Sequence, residues 1–578
     1  MSKAVRSSAA ESVEHSASTP QPTRVDSHCP HLLSRCAFCA PRFAFLVLFF
    51  IRLVSACWNI IHDCDEVYNF WEPMHFLVHN YGKQTWEHSP EFALRSSLYL
   101  AFHTLVAAPV SLLFGGGAGK VVTFHLLRVF LGTISAACEA YLYHATRQVL
   151  GVRVSSVLLL LLAVSTGMFS ASTAFLPSSF TMYTMTLATA ALLLGRYHLV
   201  IAACAVGALL GWPFGALAML PLCLYVLLVW RLRALKLAIF WAAVVVLPQL
   251  AADRAFYGKW TLGLLNILAY NVAGGGSELY GTEGPLFYLK NCLLNFNVIF
   301  LFALALPLVA FLARCHMAWP ERLAVVYAPL PLWLIAMSSA AHKEERFMYL
   351  VYPTVCLAAA CTLHAVPTLL CAPIPKKYHS TVRWAGDHLV RIVLAGVVIL
   401  SVMRTSALLL YYGGAGEIFR ALPPLPATGA TSGVAKVCMG SDWYRFPSSF
   451  LLPSPEYRLG FLESDFGGLL PADFDSARGG TSWAPEWLNK FNRADNRSYV
   501  PITSCQYLVE QSRLPLQVGN IVTKPASNSG GATRWQVLAT TPFLDTEHSP
   551  ALTRILYIPR LSSMRNTYTT YALLQQSK

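Results

Sequence analysis

The stretch Val390-Arg-Ile-Val-Leu-Ala-Gly-Val-Val-Ile-Leu-Ser-Val-Met-Arg-Thr-Ser-Ala-Leu-Leu-Leu-Tyr-Tyr412 decides the class of fold. As a helix it is long enough to cross the roughly 30 Å of bilayer hydrocarbon, and its only charges are Arg391 and Arg404. Basic residues Lys376, Lys377 and Arg383 precede it, and no comparable apolar run follows it. Working back, similar runs lie near 43–58, 94–114, 121–143, 154–174, 177–195, 197–211, 214–230, 237–251, 297–313, 323–339 and 347–366.

Composition agrees. The chain is 55% hydrophobic and only 12% charged, with a mean hydropathy of +0.49. That charged share is about half of the roughly 25% usual in soluble domains, so an ordinary soluble protein is excluded. The formal charge of +14 would suit a nucleic-acid partner, but the Lys and Arg residues sit mostly at the ends of apolar runs. That is the pattern of the positive-inside rule, not of a groove that tracks phosphates.

Orientation follows from the basic loops. Arg231-Leu-Arg233 with Lys236, and Lys376-Lys377 with Arg383, face the cytosol by that rule. The loop 252–296, the loop holding His342 to Arg346, and everything after 413 then face the other side. The parity leaves the basic N-terminal tail cytosolic only if one run does not cross, and 94–114, which carries Arg95 and His103 and ends in Gly115-Gly116-Gly117, is the weakest. The expected fold is a polytopic α-helical membrane protein of about eleven transmembrane helices with a small mixed α/β C-terminal domain. Residues 1–41 read as a disordered cytosolic tail in which Cys36 and Cys39 form no metal site. Residues 42–412 form the membrane domain, with a first luminal loop over 59–120, and 413–578 form a luminal domain. Tyr499-Val-Pro-Ile502 and Arg554-Ile-Leu-Tyr-Ile558 read as its β-type stretches, and Asn496-Arg-Ser498 as a glycosylation acceptor that agrees with the luminal side.

Two constellations share that side. The first runs Asp63-Cys-Asp65-Glu66-Val-Tyr-Asn-Phe-Trp71-Glu72-Pro73 and continues through Trp86-Glu87-His88 to Arg95. The second is His342-Lys343-Glu344-Glu345-Arg346-Phe347. For a lipid-phosphate substrate their uses are plain. A fixed cation at headgroup depth binds the leaving phosphate, a carboxylate opposite takes the proton of the attacking hydroxyl, and aromatic faces suit a sugar ring. Blander readings stand beside this one. Asp63 or Glu66 would equally solvate a loop or cap a helix, and the cationic run would equally anchor the chain at the interface. Arg128 and Glu139, costly in lipid, must face protein or a wet cavity, as a structural pair or as a substrate contact.

These motifs, with Gln84-Thr-Trp-Glu-His-Ser-Pro90, Arg95-Ser-Ser-Leu-Tyr99 and Val437-Cys-Met-Gly-Ser-Asp-Trp-Tyr-Arg-Phe-Pro-Ser-Ser-Phe450, closely resemble the dolichyl-phosphate-mannose-dependent mannosyltransferases of family GT22. The nearest branch is the one that adds α-1,2-linked mannose during lipid-linked N-glycan precursor assembly. The resemblance covers about residues 43–520. It implies a GT-C fold, a multi-pass place in the endoplasmic reticulum membrane with a luminal site, a dolichyl-phosphate mannose donor and a dolichyl-diphosphate oligosaccharide acceptor. A β-linked donor and α-linked product imply one inverting displacement with one general base. By position that base is Asp65, with Asp63 or Glu66 as the fallback. Trp71, Glu72 and Trp86 are carried over as substrate contacts, and His342, Lys343 and Arg346 as donor-phosphate or structural contacts. Cys438 and Cys505, the two cysteines of the luminal domain, lie in family-like segments and are expected to pair in an oxidising compartment.

Three alternatives bound this reading. A mannosyltransferase of glycosylphosphatidylinositol anchors has a similar acidic motif, but the Trp71-Glu72-Pro73 extension and the large luminal domain favour the N-glycan branch. A proton-coupled transporter would bury charges along several central spans, whereas most here lie in luminal loops. A divalent ion such as Mg²⁺ or Mn²⁺ would suit the carboxylates. Cationic side chains alone also serve such a transfer, and the expectation is no metal and no other cofactor.

Overall fold

The computed structural model describes residues 40–273, 279–425, 434–513, 516–522 and 534–577. The tail expected over 1–41, with Cys36 and Cys39, lies almost wholly outside them. The first helix, Pro41–Trp58, starts on the proline, where a missing N–H costs nothing because the first turn leaves that donor unpaired.

Among the described residues eight single helices are long and apolar enough to cross a membrane, or nine if the bent pair Phe287–Phe296 and Val298–Ala313 counts as one span. The expectation was about eleven. The difference lies in runs that fold into shorter pieces. The 154–174 run breaks at Ser165 into Val152–Val164 and Thr166–Ala171, and 197–211 ends in a π-helical turn, Gly207–Gly211. The Pro177–Leu193 helix is 17 residues long and buried along most of its length, so it meets other helices more than lipid. The bend of 111° in the pair falls at Asn297, whose φ of 46° breaks the helix. Its side-chain amide donates to Ser401 Oγ at 3.1 Å.

Ser97–Phe114 is one of the eight, so length and apolarity do not set it apart from a span. Its ends do. At the N-terminus Asp253 Oδ1 accepts from Ser97 N at 2.7 Å and Ser97 Oγ at 2.9 Å, beside Arg95 of the first constellation. Just past the C-terminus Gly117 presses on the Pro453 carbonyl of the C-terminal domain, with no room for a β-carbon. Both ends therefore meet the layer that carries the acidic loop and the sheet.

Two intramembrane charges resolve differently from a mutual pair. Glu139 binds Arg52, fully buried, through Nη2–Oε2 at 2.6 Å and Nε–Oε1 at 3.1 Å, and accepts a further bond from Ser135. Arg52 also donates to the Leu162 carbonyl at 2.7 Å. Arg128 instead donates to the Asn59 carbonyl at 2.8 Å and reaches Thr173 Oγ1 at 3.4 Å. These contacts bind Pro41–Trp58 to Gly116–Val149, and Gly132 lets the two approach closely, since a β-carbon there would lie 3.1 Å from Arg52 Cβ. Both charges are structural, as buried charge in this setting requires a partner.

Beyond the Lys376–Tyr412 helix stands a six-stranded mixed sheet, ordered Tyr457–Phe461, Ala435–Met439, Tyr507–Ser512, Tyr568–Gln576, Trp535–Leu544, Ile521–Val522. The first three strands are parallel and the rest antiparallel. A disulfide joins Cys438 to Cys505, with Cα atoms 5.9 Å apart. Neither stretch expected as β forms a strand. Tyr499 to Pro501 is extended and Val500 N donates to the Phe461 carbonyl at 2.8 Å, but no ladder follows, because Pro501 offers no N–H and Ile502–Ser504 is a 3₁₀ turn. Arg554 lies in the helix Ala551–Ile555.

This domain is fastened to the acidic loop at three places. Lys83–Gln84 pairs antiparallel with Ala472–Asp473, Tyr68 Oη donates to the Trp443 carbonyl at 2.8 Å, and Glu72 is held by Ser448 and Ser449. The helices and the sheet thereby enclose one space between them.

Candidate active site

Asp63 opens a single helical turn, Cys64–Glu66. Its backbone is extended, and its Oδ1 accepts from Asp65 N at 2.9 Å in an N-cap. Successive residues on such a turn point about 100° apart, so Asp65 and Glu66 face different ways. The turn runs on into a π-helical turn, Val67–Trp71, a local widening of the helix often found at functional sites.

The second constellation follows the Arg322–Ser339 helix. Arg346 reaches across to the first. Its Nε lies 2.7 Å from Asp63 Oδ2, its Nη2 lies 2.5 Å from Asp65 Oδ2, and it also binds Glu344. His342 Nε2 lies 2.9 Å from Glu344 Oε1, and its Nδ1 lies 3.0 Å from the Gly281 carbonyl. Arg95 pairs with Glu87 at 2.7 Å and lies 3.9 Å from Asp65 Oδ2.

Around this array lies a cavity of about 490 Å³. Asp63, Asp65, Glu87, Arg95, His342, Glu344 and Arg346 line it, together with Trp86, Trp212 and Tyr270. The C-terminal domain closes one side with Trp443 and Phe466, whose rings sit 4.9 Å apart. Carboxylates, guanidinium groups, one imidazole and several aromatic faces thus converge on a single space, the set that sugar binding and proton transfer need.

Not every residue expected here reaches it. Asp63, Asp65, Trp86, His342 and Arg346 do. Glu66 turns inward, where its Oε1 accepts from Trp71 Nε1 at 3.0 Å and from Phe175 N at 2.9 Å. Trp71, fully buried, packs on Phe124, Phe175 and Phe450, so it is core and not a sugar platform. Glu72 accepts from Ser449 N at 2.6 Å, Ser449 Oγ at 2.9 Å, Ser448 Oγ at 3.2 Å and Lys83 N at 3.2 Å, which leaves nothing for substrate. Lys343 is 6% exposed and donates to the Glu283 and Ala340 carbonyls. In each case the alternation of the local turn, invisible in a list of polar residues, sends the side chain away from the cavity. Arg95 and Glu87 received no role from the sequence although their motif contained them. Trp212 comes from a segment far from every motif, and no local signal marks it; Trp443 stands in the Val437–Phe450 motif but received no role there.

Charge is distributed unevenly over the array. Burial pushes Asp63 up to about 7, against the pull of Arg346, with Glu344 and Asp65 adding to the rise. Burial also acts to raise Glu344, but Arg346 and His342 outweigh it and hold the carboxyl down at about 2. The hydrogen bond to Glu344 raises His342 in turn, so the imidazole favours its cationic form. Asp65 keeps one carboxylate oxygen, Oδ1, for which no protein partner occurs among the described residues, and its side chain is 34% exposed.

Asp63, Cys64 and Asp65 bring ligand atoms within 4.8 Å of one another, as a cation site would. Arg346 already occupies an oxygen of each carboxylate, so a divalent ion would have to displace a fixed cation. The donor set fits a metal poorly.

Residues 43–453 match the model of the Alg9-like mannosyltransferase family. The chain is 38% identical to alpha-1,2-mannosyltransferase ALG9 of Arabidopsis thaliana over 92% of its own length and 91% of the relative's. It is 37% identical to the protein of the same name from Homo sapiens over 93% of this chain and 88% of that one. Among solved structures it has weak similarity to ArnT from Cupriavidus metallidurans bound to undecaprenyl phosphate, with a TM-score of 0.46, 16% identity, and coverage of 74% of this chain and 85% of that one.

Proposed function

The chain belongs to the Alg9-like mannosyltransferase family, and from that premise we propose how its cavity transfers a sugar. It is a membrane-bound mannosyltransferase of the GT-C type that forms α-1,2 linkages in N-glycan precursor assembly. Its donor and acceptor are both lipid-linked. We assign the donor as dolichyl-phosphate mannose and the acceptor as a dolichyl-diphosphate Man/GlcNAc oligosaccharide.

In this mechanism Asp65 is the general base. The carboxylate oxygen left free by Arg346 takes the proton of the acceptor hydroxyl as the hydroxyl oxygen attacks C1 of mannose. The C1–O bond to phosphate breaks on the opposite face, and the configuration inverts. His342, whose cationic form the hydrogen bond to Glu344 favours, receives the charge that develops on the leaving phosphate. Arg346, bound to three carboxylates, fixes Asp65 in place and is no longer assigned to the phosphate. Glu66 supports the turn from behind through Trp71 and Phe175. The aromatic wall of Trp86, Trp443 and Phe466 receives the acceptor glycan. The observation that carries the proposal is the half-engaged Asp65 carboxylate in a cavity walled by both domains.

We further propose that this cavity opens to the lumen of the endoplasmic reticulum and that Ser97–Phe114 belongs to the same side along its whole length. The disulfide of the C-terminal domain fits an oxidising compartment, and the exposed Asn496 fits glycosylation there. One end of Ser97–Phe114 is capped by Asp253 beside Arg95, and Gly117 just past the other end presses on Pro453 of the C-terminal domain.

The test is transfer by the purified protein from synthetic dolichyl-phosphate mannose to defined lipid-linked acceptors, with and without chelator, the new linkage being read by an α-1,2-specific mannosidase. Transfer that survives chelation is expected. Transfer only to a glycosylphosphatidylinositol precursor, or none from this donor, would sink the assignment.

A further inference from the structure

The segment 551–565 of the C-terminal domain has no part in the cavity. It consists of two short helices, Ala551–Ile555 and Leu561–Arg565, joined by an extended stretch. Its inner side is fastened to the Lys376–Tyr412 helix well below the end of that helix. Tyr411 Oη donates to the Thr553 carbonyl at 2.8 Å, Arg404 Nη1 donates to the Ile555 carbonyl at 3.2 Å, and Tyr557 N donates to the Met403 carbonyl at 2.9 Å. The Tyr557 ring packs 6.2 Å from that of Tyr411. From Tyr411 to Met403 the helix descends by about 12 Å at its rise of about 1.5 Å per residue.

That descent carries the segment to membrane depth. Arg383, Asp387 and Arg391 mark the opposite boundary of this helix. About 20 residues from there fill the roughly 30 Å of hydrocarbon, so the apolar part ends near Tyr411. Contacts at Met403 and Arg404 therefore fall inside the leaflet on the side of the C-terminal domain. The adjoining surface of the helix is bare and apolar, with Val402 57% and Leu410 56% exposed.

The outward face of the segment continues that surface. Leu552 is 59%, Leu561 38% and Met564 80% exposed, while Thr553 and Ser562 point inward and are buried. Arg554, Arg560 and Arg565 lie among the apolar residues. Apolar side chains interleaved with arginines at the rim of a span are the composition of an interfacial element, its arginines at phosphate level and its apolar groups in the acyl boundary.

We propose that 551–565 is a membrane foot: it dips into the leaflet on its side, with Leu561 and Met564 among the acyl chains and Arg560 and Arg565 on lipid phosphates. The occupant is bilayer lipid, and the role is to hold the C-terminal domain at a set height over the cavity.

The test uses the full chain in lipid nanodiscs, with Cys29, Cys36 and Cys39 of the tail and the exposed Cys57 and Cys315 replaced by alanine and an environment-sensitive fluorophore on Met564→Cys, on Leu561→Cys and, as a water-facing control, on Val518→Cys. Val518 is 64% exposed on the same domain. Labels at 564 and 561 are expected to be quenched at least threefold more by shallow spin-labelled lipid than by aqueous iodide, and the label at 518 the reverse. Iodide quenching at 564 and 561 equal to that at 518 would overturn the proposal. Protection from both quenchers would overturn it too, because a second copy of the chain would then cover the face. Two labelled positions keep the reading independent of one poorly folding variant.

Discussion

Arg346 Nη2 lies 2.5 Å from Asp65 Oδ2 across 281 residues of chain, and the same guanidinium holds Asp63. One cation from the second constellation thus sets the geometry of both acids of the first. The proposed base works only as part of this clasp.

Asp65→Asn is expected to lower turnover by two or more orders of magnitude while the protein stays folded and binds donor, since a positioned base contributes about 10²- to 10⁴-fold. Steady-state transfer beside a donor-binding measurement checks this. Near-normal turnover in Asp65→Asn with loss in Asp63→Asn would move the base to Asp63.

Arg346→Lys keeps the charge but cannot bridge two carboxylates, so kcat should fall more than tenfold with little change in the KM for donor. His342→Ala should lower kcat and, unlike Arg346→Lys, also raise the KM for donor while leaving the KM for acceptor nearly unchanged. Kinetics with each substrate varied in turn separates the two, and the opposite pattern would restore Arg346 to the phosphate.

Lys343→Met removes a buried ammonium that donates to two carbonyls, and bonds to charged groups contribute about 1.5–3 kcal/mol each. The expected outcome is a thermal midpoint lower by several degrees with turnover per folded molecule kept within about twofold. A selective loss of donor affinity would return Lys343 to the cavity.

The raised Asp63 predicts a pH signature. An acid whose folded pKa lies near 7, above an ordinary value near 4, favours the folded state fully at low pH, and that contribution is lost as pH rises through 7. Thermal unfolding from pH 4 to 8 should therefore show the parent losing stability relative to Asp63→Asn with rising pH, the difference levelling above pH 7. A flat difference would mean that Asp63 is ionised throughout.

Much of the site was legible because its chemistry is local. Asp63, Asp65, His342 and Arg346 stand in two short motifs, and the cavity joins those motifs. Glu66, Trp71, Glu72 and Lys343 carry the same residue types in the same motifs, yet they face the core or the C-terminal domain. That outcome depends on how the helical turns over 64–79 and the irregular backbone at Lys343 orient each side chain, which residue type does not encode. The span count suffered likewise. An apolar run such as 154–174 announces burial, but its break at Ser165 depends on which neighbours pack against it. Arg52 was missed as the partner of Glu139 because buried pairs join residues far apart in the chain.

Glu72 adds a matter of timing. Three of its four donors come from Ser448 and Ser449, which leave the ribosome more than 370 residues after it. Until then most bonds of this carboxylate are unmade, and the newly inserted helices carry that defect until the C-terminal domain begins to form. Chains cut between Tyr412 and Ser448 should therefore be recognised as unfinished and degraded, although every one of their membrane helices has been made.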